Sequence, residues 1–108
     1  MKYIIDIDDT ICEKPQGNSD YESSVPKVKR IEMVNKLYQE GHKITYFTAR
    51  GMGRNNDDST AAQEQFFDLT KQQLDSWGCL YHNLILGKPS GDIYIDDKGV
   101  NSDDFFGD

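Results

Sequence analysis

Histidine and cysteine are scarce in this sequence, and the few present do not form a metal-binding pattern. The 108 residues include two histidines and two cysteines. Cys12 and Cys79 lie far apart and show no CxxC or zinc-ligand spacing, so we interpret both as free thiols in a reducing compartment. His42 and His82 also lack ligand spacing, and we interpret both as structural residues.

Long apolar runs and excess positive charge are missing as well. No run approaches the length of a membrane-spanning helix, and the short run Tyr3–Ile5 ends at Asp6 without a signal-peptide cleavage site. The formal net charge of -7 disfavours general binding to nucleic acids or anionic lipids. We therefore expect a cytoplasmic protein without a membrane or nucleic-acid partner. A phosphate ligand stays compatible with this charge, because a metal ion and a few bases can reverse its sign inside one cleft.

Strand-like and helix-like segments alternate along the chain, which predicts an α/β fold with a parallel sheet. The length suits one domain covering residues 1–108. The predicted strands are 3–7, 43–47, 84–86 and 92–95, and the predicted helices run from about 24–26 to 41 and from 59 or 60 to 77. The final residues, 99–108, form a polar and aromatic tail in which Phe105 and Phe106 are candidates to pack on the sheet.

Two polar stretches are predicted to be loops beside the sheet. Residues 11–24 are long enough for a flap or small hairpin but too short for a cap domain, and residues 51–59 form the second loop. These lengths predict a capless protein with an open cleft. Such a cleft suits a large substrate or a lid from a neighbouring subunit, so a homo-oligomer is one expectation.

Polar residues follow each predicted strand at its carboxyl end. In an open parallel sheet these ends share one edge, where ligands bind. Clustered carboxylates repel each other unless a cation neutralises them, and oxygen ligands without histidine or cysteine suit Mg²⁺. No glycine-rich phosphate loop is present, which excludes a P-loop nucleotide hydrolase. The residues at this edge are Asp6, Asp8, Asp9, Thr10, Thr48, Arg50, Lys88, Asp96 and Asp97.

Four short motifs in order resemble those of the haloacid dehalogenase (HAD) superfamily. The resemblance spans residues 3 to 97 and implies a Rossmann-like three-layer sandwich with a mostly parallel sheet. The motifs are the strand and DxDx[TV] of Tyr3–Thr10, the strand ending in a hydroxyl residue of Ile44–Thr48, the lysine Lys88, and the strand ending in paired acids of Ile93–Asp97.

The resemblance implies a phosphatase mechanism with named residues. Asp6 would attack the phosphorus atom and form an aspartyl-phosphate. Asp8 would protonate the leaving alkoxide and then accept a proton from water. Thr48 would donate a hydrogen bond to a phosphoryl oxygen, and Lys88 would balance the negative charge.

The same resemblance implies a Mg²⁺ site and substrate contacts. The ion would be held by the Asp6 carboxylate, the Asp8 backbone carbonyl and Asp96, with Asp97 as a ligand directly or through a water molecule. Thr10 and Arg50 are interpreted as substrate-binding residues, and the Thr10 hydroxyl would also steady the loop that places Asp8.

A narrower resemblance concerns the substrate. The strings Thr48–Gly51, Trp77–Gly78, Gly87–Pro89 and Tyr94–Lys98 resemble small HAD phosphatases of capsule and lipopolysaccharide sugar synthesis. They imply a sugar phosphate or a similar small metabolite as the substrate.

Other interpretations of these residues stay open. A response-regulator receiver also combines paired acids, a hydroxyl residue and a lysine, although it places them in a different order. A HAD-like binding protein without turnover and a polynucleotide 3′-phosphatase are further alternatives. Taken singly, Asp6 and Asp8 suit a turn after a strand, and Lys88 suits a solvated loop.

Overall fold

The computed structural model of the protein describes residues 1–14 and 21–108. In chain order the elements are β1 (Lys2–Ile5), β2 (Cys12–Glu13), a 3-10 helix (Tyr21–Ser23), β3 (Val25–Pro26), α1 (Val28–Gln39), β4 (Lys43–Thr48), α2 (Ser59–Ser76), β5 (Asn83–Leu86) and α3 (Ser102–Phe106).

The main sheet has three parallel strands in the order β1-β4-β5. Thr45 in the central strand β4 lies opposite Ile4 on one side and Asn83 on the other. α1 connects the first pair of strands and α2 connects the second, as parallel strands require. The predicted α/β class with a parallel sheet is confirmed.

Local chemistry favours the start of α2 and the end of α1. The Asp58 carboxylate accepts hydrogen bonds from the backbone N–H groups of Thr60 and Ala61, at 3.0 and 3.3 Å, and so caps the start of α2. α1 begins at Val28, later than predicted, and Lys27 supplies no side-chain cap. Gly41 follows α1 with a φ of 95°, a left-handed conformation that glycine adopts without strain.

The core lies on one face of the sheet. Alternate strand residues such as Ile5, Ile44 and Tyr46 are buried there, against Val34 of α1 and Leu74 of α2. α3 also contributes, because Phe106 is buried in the same cluster. On the opposite face Ile4 is 71% exposed and Ile85 is 48% exposed. Among the described residues, the third layer of the predicted sandwich is therefore not seen.

The predicted fourth strand at residues 92–95 was wrong for this chain. Those residues are not in a strand, and Ile93 and Ile95 are 77% and 91% exposed. The connection from Leu86 to Asp92 is too short to cross the sheet and start another parallel strand, since such crossovers need about a dozen residues or more.

The predicted flap, residues 11–24, has a hairpin base. Cys12 of β2 pairs with Pro26 of β3, and Glu13 pairs with Val25, in antiparallel register. Residues 15–20 of this flap lie outside the described part of the chain. Among the helices that the structure describes, none combines the length and apolarity needed to span a membrane.

Candidate active site

Asp6 lies directly after β1, at the start of a tight turn. The N–H groups of Thr10 and Ile11 donate to the Ile7 carbonyl oxygen at 3.1 and 2.9 Å. Asp9 adopts a φ of 60°, a conformation that aspartate tolerates better than most residues. This turn brings the Thr10 hydroxyl to 3.3 Å from Asp6 Oδ2, so Thr10 contacts the Asp6 carboxylate itself.

Lys88 lies in the loop after β5 and reaches Asp6 across the carboxyl edge of the sheet. Its Nζ atom lies 3.7 Å from Asp6 Oδ1. Backbone hydrogen bonds fix this position, because the N–H groups of Gly87 and Lys88 both donate to the Thr48 carbonyl oxygen at 3.2 Å. Gly87 has a φ of 107°, and a Cβ atom there would lie 2.9 Å from Ser59 Cβ, so only glycine fits this turn.

Burial and the Lys88 charge act in opposite directions on the pKa of Asp6. Burial raises the pKa of its carboxyl above the ordinary value, and the Lys88 ammonium and the Thr10 hydroxyl partly oppose this by favouring the ionised form. The Asp6 side chain keeps 33% of its surface exposed. It is thus a largely desolvated carboxylate that still opens to solvent beside one cation.

Thr48 ends β4 with its side chain buried. Its Oγ1 atom accepts a hydrogen bond of 3.1 Å from the Arg50 backbone N–H. The residue is 1% exposed. Its hydroxyl stabilises the turn after β4, and its carbonyl oxygen holds the turn that carries Lys88, so Thr48 joins two loops of the site.

Asp8 is paired with Arg50 through two parallel hydrogen bonds. Arg50 Nε donates to Asp8 Oδ2 and Arg50 Nη2 donates to Asp8 Oδ1, each at 3.0 Å. The Arg50 side chain is fully buried, whereas Asp8 keeps 18% of its side-chain surface exposed. The guanidinium thus holds the carboxylate from the interior and leaves its outer side towards solvent.

The interior partners of Arg50 were missed by sequence reasoning. Its Nη1 atom donates to Thr70 Oγ1 at 3.3 Å and to Gln73 Oε1, and its guanidinium carbon lies 4.7 Å from the centre of the Tyr21 ring. Gln73 also donates to the Tyr21 carbonyl oxygen. The sequence feature that could have indicated these partners is the presence of two polar residues, Thr70 and Gln73, on the buried face of α2.

The interpretation of Arg50 as a substrate contact therefore needs correction. Every part of its guanidinium faces Asp8, Thr70, Gln73 or the Tyr21 ring, and the residue is 1% exposed. A buried arginine in this arrangement cannot reach a ligand in solvent. It orients Asp8 instead.

Cys12 touches the same carboxylate. Its Sγ atom lies 3.6 Å from Asp8 Oδ1 and 3.6 Å from the Ile7 carbonyl oxygen. Burial, with the negative charge of Asp8, raises the pKa of the thiol to about 12. The thiol is consequently protonated at neutral pH and does not serve as a nucleophile.

Asp96 and Asp97 lie in an exposed turn with their own partners. Asp96 accepts hydrogen bonds from the backbone N–H groups of Lys98 and Gly99, which lower its pKa. Asp97 forms an ion pair of 2.9 Å with the Lys98 ammonium. Over residues 1–14 and 21–108, no group of three or more acidic, histidine or cysteine side chains is arranged to hold a metal ion. One chain thus brings Asp6, Asp8 and Lys88 together, without the full predicted metal set.

Comparison with known proteins adds information about the fold. No family model matches the chain, and no curated protein matches it. The chain is similar to the crystal structure of a structural target protein from Vibrio cholerae, with a TM-score of 0.87 and 28% sequence identity. The match covers 97% of this chain and 86% of the Vibrio chain. This similarity supports the α/β fold with its parallel three-stranded sheet.

Proposed function

We propose that the protein hydrolyses phosphate monoesters through an aspartyl-phosphate on Asp6, as a capless member of the HAD superfamily. The observation that carries this proposal is the contact of 3.7 Å between Asp6 and Lys88 at the carboxyl edge of the sheet. A carboxylate beside a cation can accept a phosphoryl group, because the ammonium offsets negative charge as the group approaches. The DxD spacing adds Asp8 next to the same edge.

The reaction proceeds in two displacements at phosphorus. In the first, an Asp6 carboxylate oxygen forms the new P–O bond while the ester P–O bond breaks, and Asp8 delivers a proton to the departing alkoxide. In the second, water attacks the aspartyl-phosphate and Asp8 takes the proton. Inorganic phosphate and free Asp6 result. Arg50 holds Asp8 in position through both steps.

Mg²⁺ belongs to the proposal as the cofactor, on the chemistry of the donors. Asp6 and Asp8 offer the oxygen ligands that this ion prefers. Within one chain the set is incomplete, since Asp96 and Asp97 are engaged with Lys98 and Gly99 instead. We therefore assign no step of the reaction to the ion in a single chain.

The proposed substrate is a sugar phosphate or another small phosphorylated metabolite. The described cations near the flap suit an anionic ligand in an otherwise acidic protein: Lys14 Nζ lies 5.8 Å and the Arg54 guanidinium 6.0 Å from the centre of the Tyr21 ring. The formal charge of -7 disfavours a long polyanion such as DNA.

The test is phosphate release by the wild type and by Asp6→Asn. Substrates are p-nitrophenyl phosphate, a panel of sugar phosphates and a 3′-phosphorylated oligonucleotide, each with Mg²⁺ and with EDTA. Asp9→Asn is the matched control, because Asp9 lies in the same turn and contacts the Lys14 backbone rather than Asp6. We expect turnover with Mg²⁺ in the wild type and the control, and none in Asp6→Asn.

The chemical nature of the intermediate gives a second readout. An aspartyl-phosphate is cleaved by hydroxylamine, so brief incubation with radiolabelled substrate should give protein label that hydroxylamine removes and Asp6→Asn lacks. If the protein becomes labelled but does not release phosphate over repeated turnovers, a receiver-like module would be favoured. Preference for the oligonucleotide would favour a polynucleotide 3′-phosphatase.

A further inference from the structure

One edge of the parallel sheet is unpaired in this structure. β1 pairs with β4 on one side, and among the described residues no strand pairs with its other side. Its side chain Ile4 is 71% exposed. An edge strand with free backbone N–H and C=O groups and an apolar side chain is a ready site for another strand.

The same chain carries a strand-like segment that pairs with no strand within residues 1–14 and 21–108. We call Asp92–Ile95 the arm. Its Ile93 and Ile95 are 77% and 91% exposed, and Tyr94 is 54% exposed. Short runs of isoleucine and tyrosine favour strands, where their side chains become buried. The arm and the β1 edge are thus two exposed apolar surfaces of complementary kind.

The direction of the arm prevents it from pairing in parallel with β1 of its own chain. Tyr94 lies at the carboxyl edge of the sheet, since Lys88 Nζ is 4.4 Å from its ring centre and also contacts Asp6. The chain then reaches the amino edge, because the Phe105 ring lies 6.0 Å from the ring of Tyr3. The chain from Tyr94 to Phe105 therefore runs from the carboxyl edge to the amino edge, opposite to its own β1, and the arm that begins this stretch is taken to share that direction.

The length of the connection between β5 and the arm also argues against parallel pairing of the arm within its own sheet. The five residues 87–91 separate β5 from the arm. A parallel crossover within one sheet takes about a dozen residues or more. If the arm joined its own sheet by a hairpin, it would be antiparallel, and Asp96 would lie at the edge remote from Asp6.

A second copy of the chain removes both obstacles. When two sheets lie side by side about a twofold axis, with strands antiparallel, the carboxyl edge of one sheet meets the amino edge of the other. An arm leaving the first chain at its carboxyl edge then starts at the amino end of the partner's β1 and runs parallel to it. No crossover connection is needed.

Charge along the pairing is complementary. In this parallel arrangement the acidic residue that begins the arm, Asp92, comes near Lys2 at the start of the partner strand, and both side chains are exposed in one chain. The other end of the arm brings Asp96 and Asp97 to the carboxyl edge, where the Asp6 and Asp8 of the other copy lie. Each copy supplies one edge and one arm, so the pair closes without further chains.

We propose that two copies exchange their arms, each arm adding as a parallel strand to the other copy's β1 and placing Asp96 and Asp97 at its Asp6 site. The role given to these acids rests on the proposed phosphatase function. The exchange itself rests on the exposed edge, the exposed arm and their directions. It completes in a dimer the acidic set that one chain does not assemble.

Light scattering tests the exchange without reference to activity. We expect the wild type to be a dimer at micromolar concentration and Ile93→Asp/Ile95→Asp to be a monomer with unchanged circular dichroism, because both side chains are already exposed in one chain. Met33→Asp is the matched control, since Met33 is a 42% exposed residue of α1 away from the arm, and it should stay dimeric. A monomeric wild type would overturn the exchange.

Mixed dimers test which of the two chains supplies Asp96 and Asp97 to each Asp6 site. Asp6→Asn chains and Asp96→Asn/Asp97→Asn chains, carrying different affinity tags, are co-expressed, and the mixed dimer is isolated through both tags. Each homodimer should be inactive. With exchanged arms, one of the two sites in the mixed dimer has every acid intact, so about half the wild-type rate should return.

The outcomes separate the exchange from the phosphatase function. A dimeric, active wild type whose mixed dimer stays inactive would overturn the exchange while the phosphatase function stands. Full activity in the Asp96→Asn/Asp97→Asn homodimer would overturn the placement of these acids. An arm-dependent dimer that releases no phosphate would support the exchanged strand and refute the phosphatase function.

Discussion

Arg50 holds Asp8 by two hydrogen bonds of 3.0 Å from a fully buried guanidinium. Lysine has the same charge but cannot form this planar, two-point contact. The contact fixes the Asp8 carboxylate against α2 and the flap base, through Gln73 and Tyr21. In the proposed mechanism this contact determines the position of Asp8, the acid–base group.

Arg50→Lys should therefore change the dependence of rate on the leaving group. A nitrophenolate leaves without a proton, whereas an alkoxide needs one from Asp8. We expect kcat/KM to fall roughly 10²-fold for an alkyl phosphate, the size of effect that misplacement of a catalytic group produces, and to fall much less for p-nitrophenyl phosphate. Equal losses on both substrates would show that Arg50 acts only on the fold.

Lys88→Met should lower kcat by about 10²–10³, the usual cost of removing one electrostatic stabiliser. Lys88→Arg should retain part of the rate, because it keeps a cation near Asp6. Lys71→Met is the matched control, since Lys71 is an exposed residue of α2 that pairs with the exposed Asp75. Steady-state kinetics at saturating substrate make the comparison, and a kcat unchanged in Lys88→Met would contradict the role assigned to this lysine.

Asp6→Asn should increase stability when no divalent ion is bound. Burial raises the folded-state pKa of Asp6 above its unfolded value, so the folded protein holds this proton more tightly. The resulting stabilisation is present below the unfolded pKa and is lost as the pH rises through the folded pKa. In EDTA, thermal unfolding should show a higher Tm for Asp6→Asn at neutral pH, with the difference shrinking under acid. A gap that widens at low pH would contradict the direction of this shift.

Gly51→Ala should destabilise the protein by about 1–3 kcal/mol. Gly51 has a φ of 79°, and an added Cβ atom would lie 2.6 Å from Phe66 Cδ2. Gly53→Ala is the control, since no atom lies within 4 Å of its added Cβ. Urea unfolding of both variants provides the measurement, and equal midpoints would show that the Phe66 contact relaxes freely.

Cys12 and Cys79 should resist alkylation in the folded protein. Burial raises their thiol pKa values, to about 12 for Cys12 and about 11 for Cys79, so little thiolate exists at pH 8. Iodoacetamide labelling followed by mass spectrometry should show slow modification in buffer and rapid modification of both cysteines in guanidinium chloride. Fast labelling of Cys12 in buffer would mean that the packing around Asp8 opens readily.

The parallel sheet and the position of Asp6 could be predicted from the sequence. Apolar runs ending in polar residues marked the strands, and their carboxyl ends meet at one edge whatever the loop details. The contact between Asp6 and Lys88 follows from that rule.

The side-chain network behind Asp8 could not be predicted in the same way. The direction of Arg50 depends on Thr70 and Gln73, which are 20 and 23 residues away in sequence and become neighbours only when α2 packs. Local patterns carry no information about such a long-range polar contact.

The arm shows a different limit of sequence reasoning. Alternating apolar residues predicted a strand at residues 92–95 that the structure does not show, because a strand exists only when another strand supplies its hydrogen bonds. Which sheet edge can do so depends on the direction of the chain between Lys88 and Tyr3 and on the length of residues 87–91.

The Thr48 carbonyl oxygen accepts from both Gly87 and Lys88, so the lysine is positioned through main-chain atoms. Substitution of the Thr48 side chain cannot remove these bonds. Loss of the hydroxyl at position 48 would therefore weaken the turn that carries Arg50, while the cation beside Asp6 keeps its place. Position 87 differs, because any side chain there would clash with Ser59 and displace the turn that holds Lys88 beside Asp6.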